Sequence, residues 1–395
     1  MPRAGCNRFY RACVSLLRRA AVALAAAATL STALAAPLAV PAVAEQPKRD
    51  LGPTSYAGAG PYAVGERTLR LGSGVKVEVW YPAKDSDVAG LPEATYDIVE
   101  WLPDQLKEML PEGASVTYPS GGVRGVRVAS GKFPLVVFSH GYAGFRTQSS
   151  ELTSALASWG FVVAAPDHPS RNLTKVLFGP PGTTSDLEDL AATITMMSRK
   201  NTNAGSVFRR HLDLDHVGVV GHSAGGRAVE NLAVTDKRVD TFVGMAGASV
   251  GALDEEAPKV PRVPGLLLAA TDDGIVGLDR MDRAYAAMKK PKRIVYFGGF
   301  GHLVFSDLCE VGESDGGLLA IADLLGVPVT GQLALLATDG CVEPATDPTL
   351  AWPAVQHVVV AHLRHVFGTD RSGAALTGLD AAYPGVVSGA RSAGE

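Results

Sequence analysis

Apolar and polar positions alternate along this chain in two periods. Leu135–Ser139, Phe161–Ala165, Val217–His222, Val239–Met245, Gly265–Ala270 and Arg293–Phe297 are short, largely unbroken apolar runs. Such runs suit strands covered on both faces, as in a parallel sheet. Between and after them, Ser150–Trp159, Ser185–Arg199, Gly226–Val234, Leu278–Met288 and Trp352–Phe367 repeat their apolar positions at helical spacing. Strand and helix in turn predict an α/β fold with a mainly parallel central sheet, right-handed crossovers and helices on both faces. Upstream, Val75–Tyr81 alternates apolar and polar residues until Pro82 stops it. It predicts a half-buried antiparallel strand that pairs with Thr68–Leu71 across Gly72-Ser73-Gly74. Tyr96–Leu110 reads as a short helix broken at Pro103, with Trp101 and Leu102 turned inward.

The two ends differ from this pattern. Residues 1–44 hold five arginines and no acid, then an Ala-rich apolar stretch from Ala20 to about Leu34 and an Ala-x-Ala site at Ala42 and Ala44. This is the layout of an export signal. Pro37 and Pro41 and the dominance of Ala argue against a membrane anchor. Residues 45–60 read as a flexible lead-in, 61–368 as the body of one domain, and the Ala-, Gly- and Ser-rich residues 369–395 as a flexible tail. Of 395 residues, 47% are apolar, enough for a substantial core. The formal charge of −4 becomes −9 once the five leading arginines are removed. An acidic body excludes the electrostatic footprint of a nucleic-acid binder. Removal of the leader also leaves Cys309 and Cys341 as an even pair, expected to form a disulfide in an oxidising compartment and to close a 309–341 insertion.

The chemistry concentrates where strands end. Gly221-His222-Ser223-Ala224-Gly225 follows a buried strand and opens a helix. In that context G-x-S-x-G lifts a serine hydroxyl above the carboxyl edge of a sheet on a sharp, strained turn. A serine needs a base to take its proton, and the base needs an anion to hold its tautomer. The loop after Gly265–Ala270 offers Asp272 and Asp273, of which Asp273 is preferred because Ile275 and Val276 follow it. The loop after Arg293–Phe297 offers His302 as the base. Two backbone N–H donors are expected for the oxyanion: Ala224 after the serine, and Tyr142 in the His140–Gly144 loop. His140 and His222 are expected to orient loops. His168 and Phe178, the latter in an apolar loop Val176-Leu177-Phe178, are candidate walls of a substrate pocket. His357, His362 and His365 share one helix, but no carboxylate joins them, so no metal is expected.

The chain resembles the secreted α/β-hydrolases near chlorophyllase, dienelactone hydrolase and the plasma type of platelet-activating-factor acetylhydrolase. The matching pieces are Val79–Ala83, Pro134–Gly141, Ala165–His168, Gly221–Gly226, Asp273–Val276 and Gly301–Asp307. More distantly it is similar to actinobacterial cutinases and polyester hydrolases. It departs from those in lacking a Trp near Met245–Ser249 and in carrying the 309–341 insertion. A serine stands where dienelactone hydrolase has a cysteine. The resemblance implies an α/β-hydrolase fold and cofactor-free hydrolysis of carboxylic esters through an acyl-enzyme, with Ser223, Asp273 and His302 as triad and Tyr142 and Ala224 as oxyanion donors. The implied partner is a small-molecule or lipid ester, met in solution or by transient contact with a lipid interface. Acyl transfer to an alcohol by the same triad, and a non-catalytic binding protein of the same fold, are the alternatives.

Overall fold

The computed structural model describes residues 51–394, apart from 109, 111, 112, 114, 181, 250–258, 312, 314, 315, 325 and 328. The expected export signal, 1–44, lies outside the described residues, as does the start of the lead-in. A hairpin of β1 (Ala63–Arg70) and β2 (Lys76–Ala83) opens the fold, with a short α1 (Asp85–Val88) after it. Next come β3 (Thr95–Asp97), a 3-10 turn at Ile98–Trp101, α2 (Asp104–Lys107) and β4 (Thr117–Pro119). Trp101 and Leu102 are buried as expected, but only Asp104–Lys107 is α-helical. β3 and β4 pair as a separate two-stranded sheet.

The remaining strands are β5 (Val123–Arg124), β6 (Phe133–Ser139), β7 (Val162–Pro166), β8 (Leu212–His222), β9 (Thr241–Met245), β10 (Gly265–Ala270), β11 (Lys292–Phe297) and β12 (Val387–Ala393). The helices are α3 (Ser150–Ser158), α4 (Leu173–Phe178), α5 (Asp186–Thr202), α6 (Ala224–Thr235), α7 (Leu278–Ala287), α8 (Leu318–Leu324), α9 (Gln332–Thr338), α10 (Trp352–Val366) and α11 (Leu379–Ala382). The main sheet runs β12-β11-β10-β9-β8-β6-β7-β2-β1-β5. From β7 to β11 every neighbouring pair is parallel; β2 joins β7, and β12 joins β11, antiparallel.

Alternation along each strand explains the apolar runs. In β6, Leu135 and Val137 join one core with α5, α6 and α7, while Val136 and Phe138 join the opposite core with α3 and α10. β10 divides in the same way, Leu267 and Ala269 against Leu266, Leu268 and Ala270. Both faces are covered, so every position must be apolar. Local signals fix the helix ends. Ser185 and Glu188 form a reciprocal capping box on α5, with acids in its first turn and Arg199 and Lys200 in its last.

Three expectations are corrected. Val176, Leu177 and Phe178 are the end of α4, not a loop; the Asn172 side chain caps that helix by accepting the Lys175 N–H at 3.1 Å. The described part of the lead-in is docked. Tyr56 is buried, stands edge-on to Trp159 at 4.9 Å, and donates its N–H to His357 Nδ1 at 3.0 Å. The tail is also folded: Ala375, Leu376, Leu379 and Val387 are buried, and Val387–Ala393 pairs with β11. Pairing at a sheet edge is made by backbone groups, so residues poor in bulky side chains can carry it. His357 holds both ends, accepting from Tyr56 and donating from Nε2 to Ala375 O at 2.7 Å.

Candidate active site

Ser223 stands at the junction of β8 and α6 with φ 55° and ψ −120°, a conformation a non-glycine residue adopts only under constraint. Its N–H donates to Met245 O at 2.8 Å. The flanking glycines answer to contacts. A Cβ on Gly225 would overlap Ser139 O, and one on Gly221 would overlap Gly225 O. The turn therefore packs directly against the end of β6, where the His140–Gly144 loop begins. A Cβ on Gly141 would lie 3.5 Å from Ser223 Cβ, which makes that loop the wall of the serine site.

Arg171 fixes the direction of the loop. It is buried, pairs with Asp186 (Nε to Oδ2, 2.7 Å), and donates from Nη1 to His140 O and to Gly141 O, the latter at 2.6 Å. A trans peptide points its C=O and N–H in opposite directions. Holding Gly141 O toward Arg171 therefore turns the Tyr142 N–H the other way. The Tyr142 side chain is 50% exposed. Ala224 is the first residue of α6, whose N–H has no partner within the helix.

Asp273 and His302 meet. His302 Nδ1 is 2.9 Å from Asp273 Oδ2, with both side chains buried. The second oxygen, Oδ1, accepts from Ile275 and Val276 N–H at 2.8 and 2.7 Å. Asp272 instead accepts from the Thr271 hydroxyl next to it, at 2.8 Å. His302 Nε2 is buried without a hydrogen-bond partner. The ring of His302 lies 4.8 Å from that of His222, the residue before Ser223.

His222 and Gln148 tie these loops together. Gln148 Oε1 accepts the Gly141 N–H at 3.0 Å, and its Nε2 lies 2.8 Å from His222 Nδ1; His222 Nε2 lies 3.1 Å from His302 O. Taken as neutral, with the proton on Nε2, His222 accepts from Gln148 and donates to His302 O. Burial, with His302 adding to it, holds the His222 imidazole well below the usual histidine range. His140 is held low as well, by burial and then by Arg171.

The profile of the family described as "Platelet-activating factor acetylhydrolase, isoform II" matches residues 54–203. Platelet-activating factor acetylhydrolase from Bos taurus is 32% identical over 124 residues, 28% of this chain and 27% of that protein. The protein of that name from Canis lupus familiaris is 22% identical over 303 residues, 63% of this chain and 67% of its own length. The one from Gallus gallus is 31% identical over 143 residues, covering 31% and 32%. This chain has the α/β-hydrolase fold and is similar to the platelet-activating factor acetylhydrolases. It spans only about a quarter to a third of the bovine and chicken proteins. The matched profile takes in the His140–Gly144 loop and Arg171 and ends before Ser223.

Within this fold, one pocket expectation is corrected. His168 is fully buried and lines no open space. Its Nε2 lies 2.9 Å from Ser139 Oγ, and its Nδ1 3.4 Å from Asp189 Oδ2. These three residues repeat a Ser-His-Asp order, but they are enclosed beneath the loop and Arg171 Nη2 occupies the Ser139 oxygen at 2.9 Å. Burial, then Arg171, keeps His168 below the usual range, and burial pushes Asp189 up to about 6. Phe178 is half-buried on α4, which is tied to the loop by Leu173 N–H to Gly144 O at 2.9 Å. The disulfide Cys309–Cys341 is formed. Sequence reasoning missed Gln148, Arg171 and Asp339. Gly274 and Gly301, each beside an expected triad residue, were the available signal for Asp339: a Cβ on either would come within 2.5 Å of its carboxylate.

Proposed function

We propose that this chain is an exported serine hydrolase of carboxylic esters, acting on small-molecule or lipid substrates without a cofactor. One observation carries the reading: Asp273 holds His302 at 2.9 Å, and the free Nε2 of that ring is buried beside the Ser223 turn. In the proposed reaction Ser223 Oγ attacks the ester carbonyl while His302 Nε2 takes the hydroxyl proton. Asp273 stabilises the imidazolium. The tetrahedral oxyanion accepts from the Tyr142 and Ala224 N–H groups. His302 then returns the proton to the leaving alcohol. Water, deprotonated by His302, attacks the acyl-Ser223 ester, releasing the acid and the free serine. Phe178 and the 309–341 insertion are candidate walls for the acyl chain. Export rests on the residue pattern of 1–44 and on the disulfide; among the described residues no helix is long and apolar enough to cross a membrane.

The name of the relatives makes acetyl esters the first substrates to test. Nitrophenyl esters of increasing acyl length are to be hydrolysed by the mature protein and not by Ser223→Ala, and a fluorophosphonate probe is to label the former alone. Turnover or labelling that survives Ser223→Ala overturns the reading. Acyl transfer takes its place if an added alcohol captures the acyl group in preference to water.

A further inference from the structure

We propose that Asp339, in the disulfide-closed insertion, is a positioning residue that holds the loops of Asp273 and His302 in register; the inference rests on the triad reading above. Asp339 directly follows α9 and lies 66 residues after Asp273 and 37 after His302. Its Oδ2 accepts the Gly274 N–H at 2.9 Å and its Oδ1 the His302 N–H at 2.6 Å. Its own carbonyl accepts the Leu303 N–H at 3.0 Å. One carboxylate thus joins the residue after the proposed acid to the backbone of the proposed base.

The fit excludes side chains on both loops. A Cβ at 274 would lie 2.5 Å from Asp339 Oδ2, and one at 301 would lie 2.5 Å from Oδ1. Gly340, at φ +92°, packs backbone to backbone on Gly301. The glycines that flank the two residues are therefore shaped to this carboxylate. His302 is held at three points: its N–H by Asp339, its carbonyl by His222, and its Nδ1 by Asp273. The first hold comes from the insertion, and the Cys309–Cys341 bond fixes the base of that insertion two residues beyond Asp339. Charge-assisted bonds to two N–H groups make such a bridge stiff. Displacement of a catalytic group by about 1 Å costs on the order of 100-fold in rate.

The test measures kcat and KM on a short nitrophenyl ester, and the rate of fluorophosphonate labelling, in Asp339→Ala and Asp339→Asn, each also combined with His302→Ala. Circular dichroism and a cooperative melt establish that each variant is folded. The expected result is a fall in kcat of about 10- to 100-fold for Asp339→Ala with KM changed less than about threefold. Asp339→Asn keeps one carbonyl oxygen and should lose less. In the His302→Ala background neither change should slow labelling further, because the residue it positions is gone. Wild-type kcat in both variants, or equal losses with and without His302, overturns the role of Asp339 while an inactive Ser223→Ala leaves the triad reading standing. An active Ser223→Ala overturns the triad reading and this inference with it.

Discussion

Arg171 sends one nitrogen to two successive carbonyls, those of His140 and Gly141, and another to the Ser139 hydroxyl. A lysine at 171 keeps the charge but presents a single point, which cannot reach all of these acceptors and Asp186 at once. Arg171→Lys is therefore expected to loosen the peptide that aims the Tyr142 N–H. Its kcat for a short ester should fall by about 10- to 100-fold, with KM little changed, approaching the loss seen when one oxyanion donor is removed. An unchanged kcat would show that Arg171 serves stability alone. At the same scale, Asp307 accepts the Ser150 hydroxyl at 2.7 Å and the Glu151 N–H at 3.0 Å. Burial pushes its carboxyl up to about 7, against those two bonds. A folded-state value above the unfolded one, near 3.9, means that the folded protein holds the proton more tightly. The stabilisation is complete at low pH and is lost as pH rises toward 7. Asp307→Asn should therefore flatten the dependence of stability on pH between about 4 and 7, read from denaturant midpoints at each pH. A slope equal to that of the wild type would rule Asp307 out as its source.

The elements differ in how far local residues announce them. α5 carries its start and stop in Ser185, Glu188, Arg199 and Lys200. The strands from β6 to β11 show as apolar runs because helices cover both faces, and the proposed serine, acid and histidine follow three of them in order. α4 is shorter, and its signal is a single cap, Asn172. α3 receives its N-terminal bond from Asp307, 156 residues beyond Glu151, and no local pattern records that partner. The bridge made by Asp339 is hidden for the same reason: its two N–H partners are contributed by other loops, and only the glycines opposite it leave a trace. The disulfide was visible as an even count of cysteines. Replacing Cys309 and Cys341 together by serine should lower stability by roughly 3–4 kcal/mol for a loop of this length, measured by chemical denaturation. If Asp339 acts as proposed, the same variant should also lose kcat; full activity would show that the insertion holds Asp339 without its covalent closure.

At the scale of the whole molecule, both ends of the described chain are ordered in a way composition does not suggest. Tyr56 and β12 are ordered through partners far away in sequence, His357 and β11. Gly389 and Ala390 pair opposite Tyr296 and Val295 through backbone groups, and such pairing leaves little mark on side-chain chemistry. Deletion of residues 369–395 would bare the edge of β11 and remove Leu376, Leu379 and Val387 from the core. The shortened protein is expected to aggregate or to melt without cooperativity, as size-exclusion chromatography and calorimetry would report. A soluble, cooperative and active product would mean that β12 is dispensable. β12 also sets a timetable. Ribosomes build chains from the amino end at about 5–20 residues per second, and about ninety residues separate the end of β11 from the start of β12. The strand that leads to His302 thus waits roughly 5–20 s for its outer neighbour. Nascent chains stalled short of residue 387 should be silent toward a fluorophosphonate, and labelling should begin only when synthesis has passed β12 and that strand has left the exit tunnel.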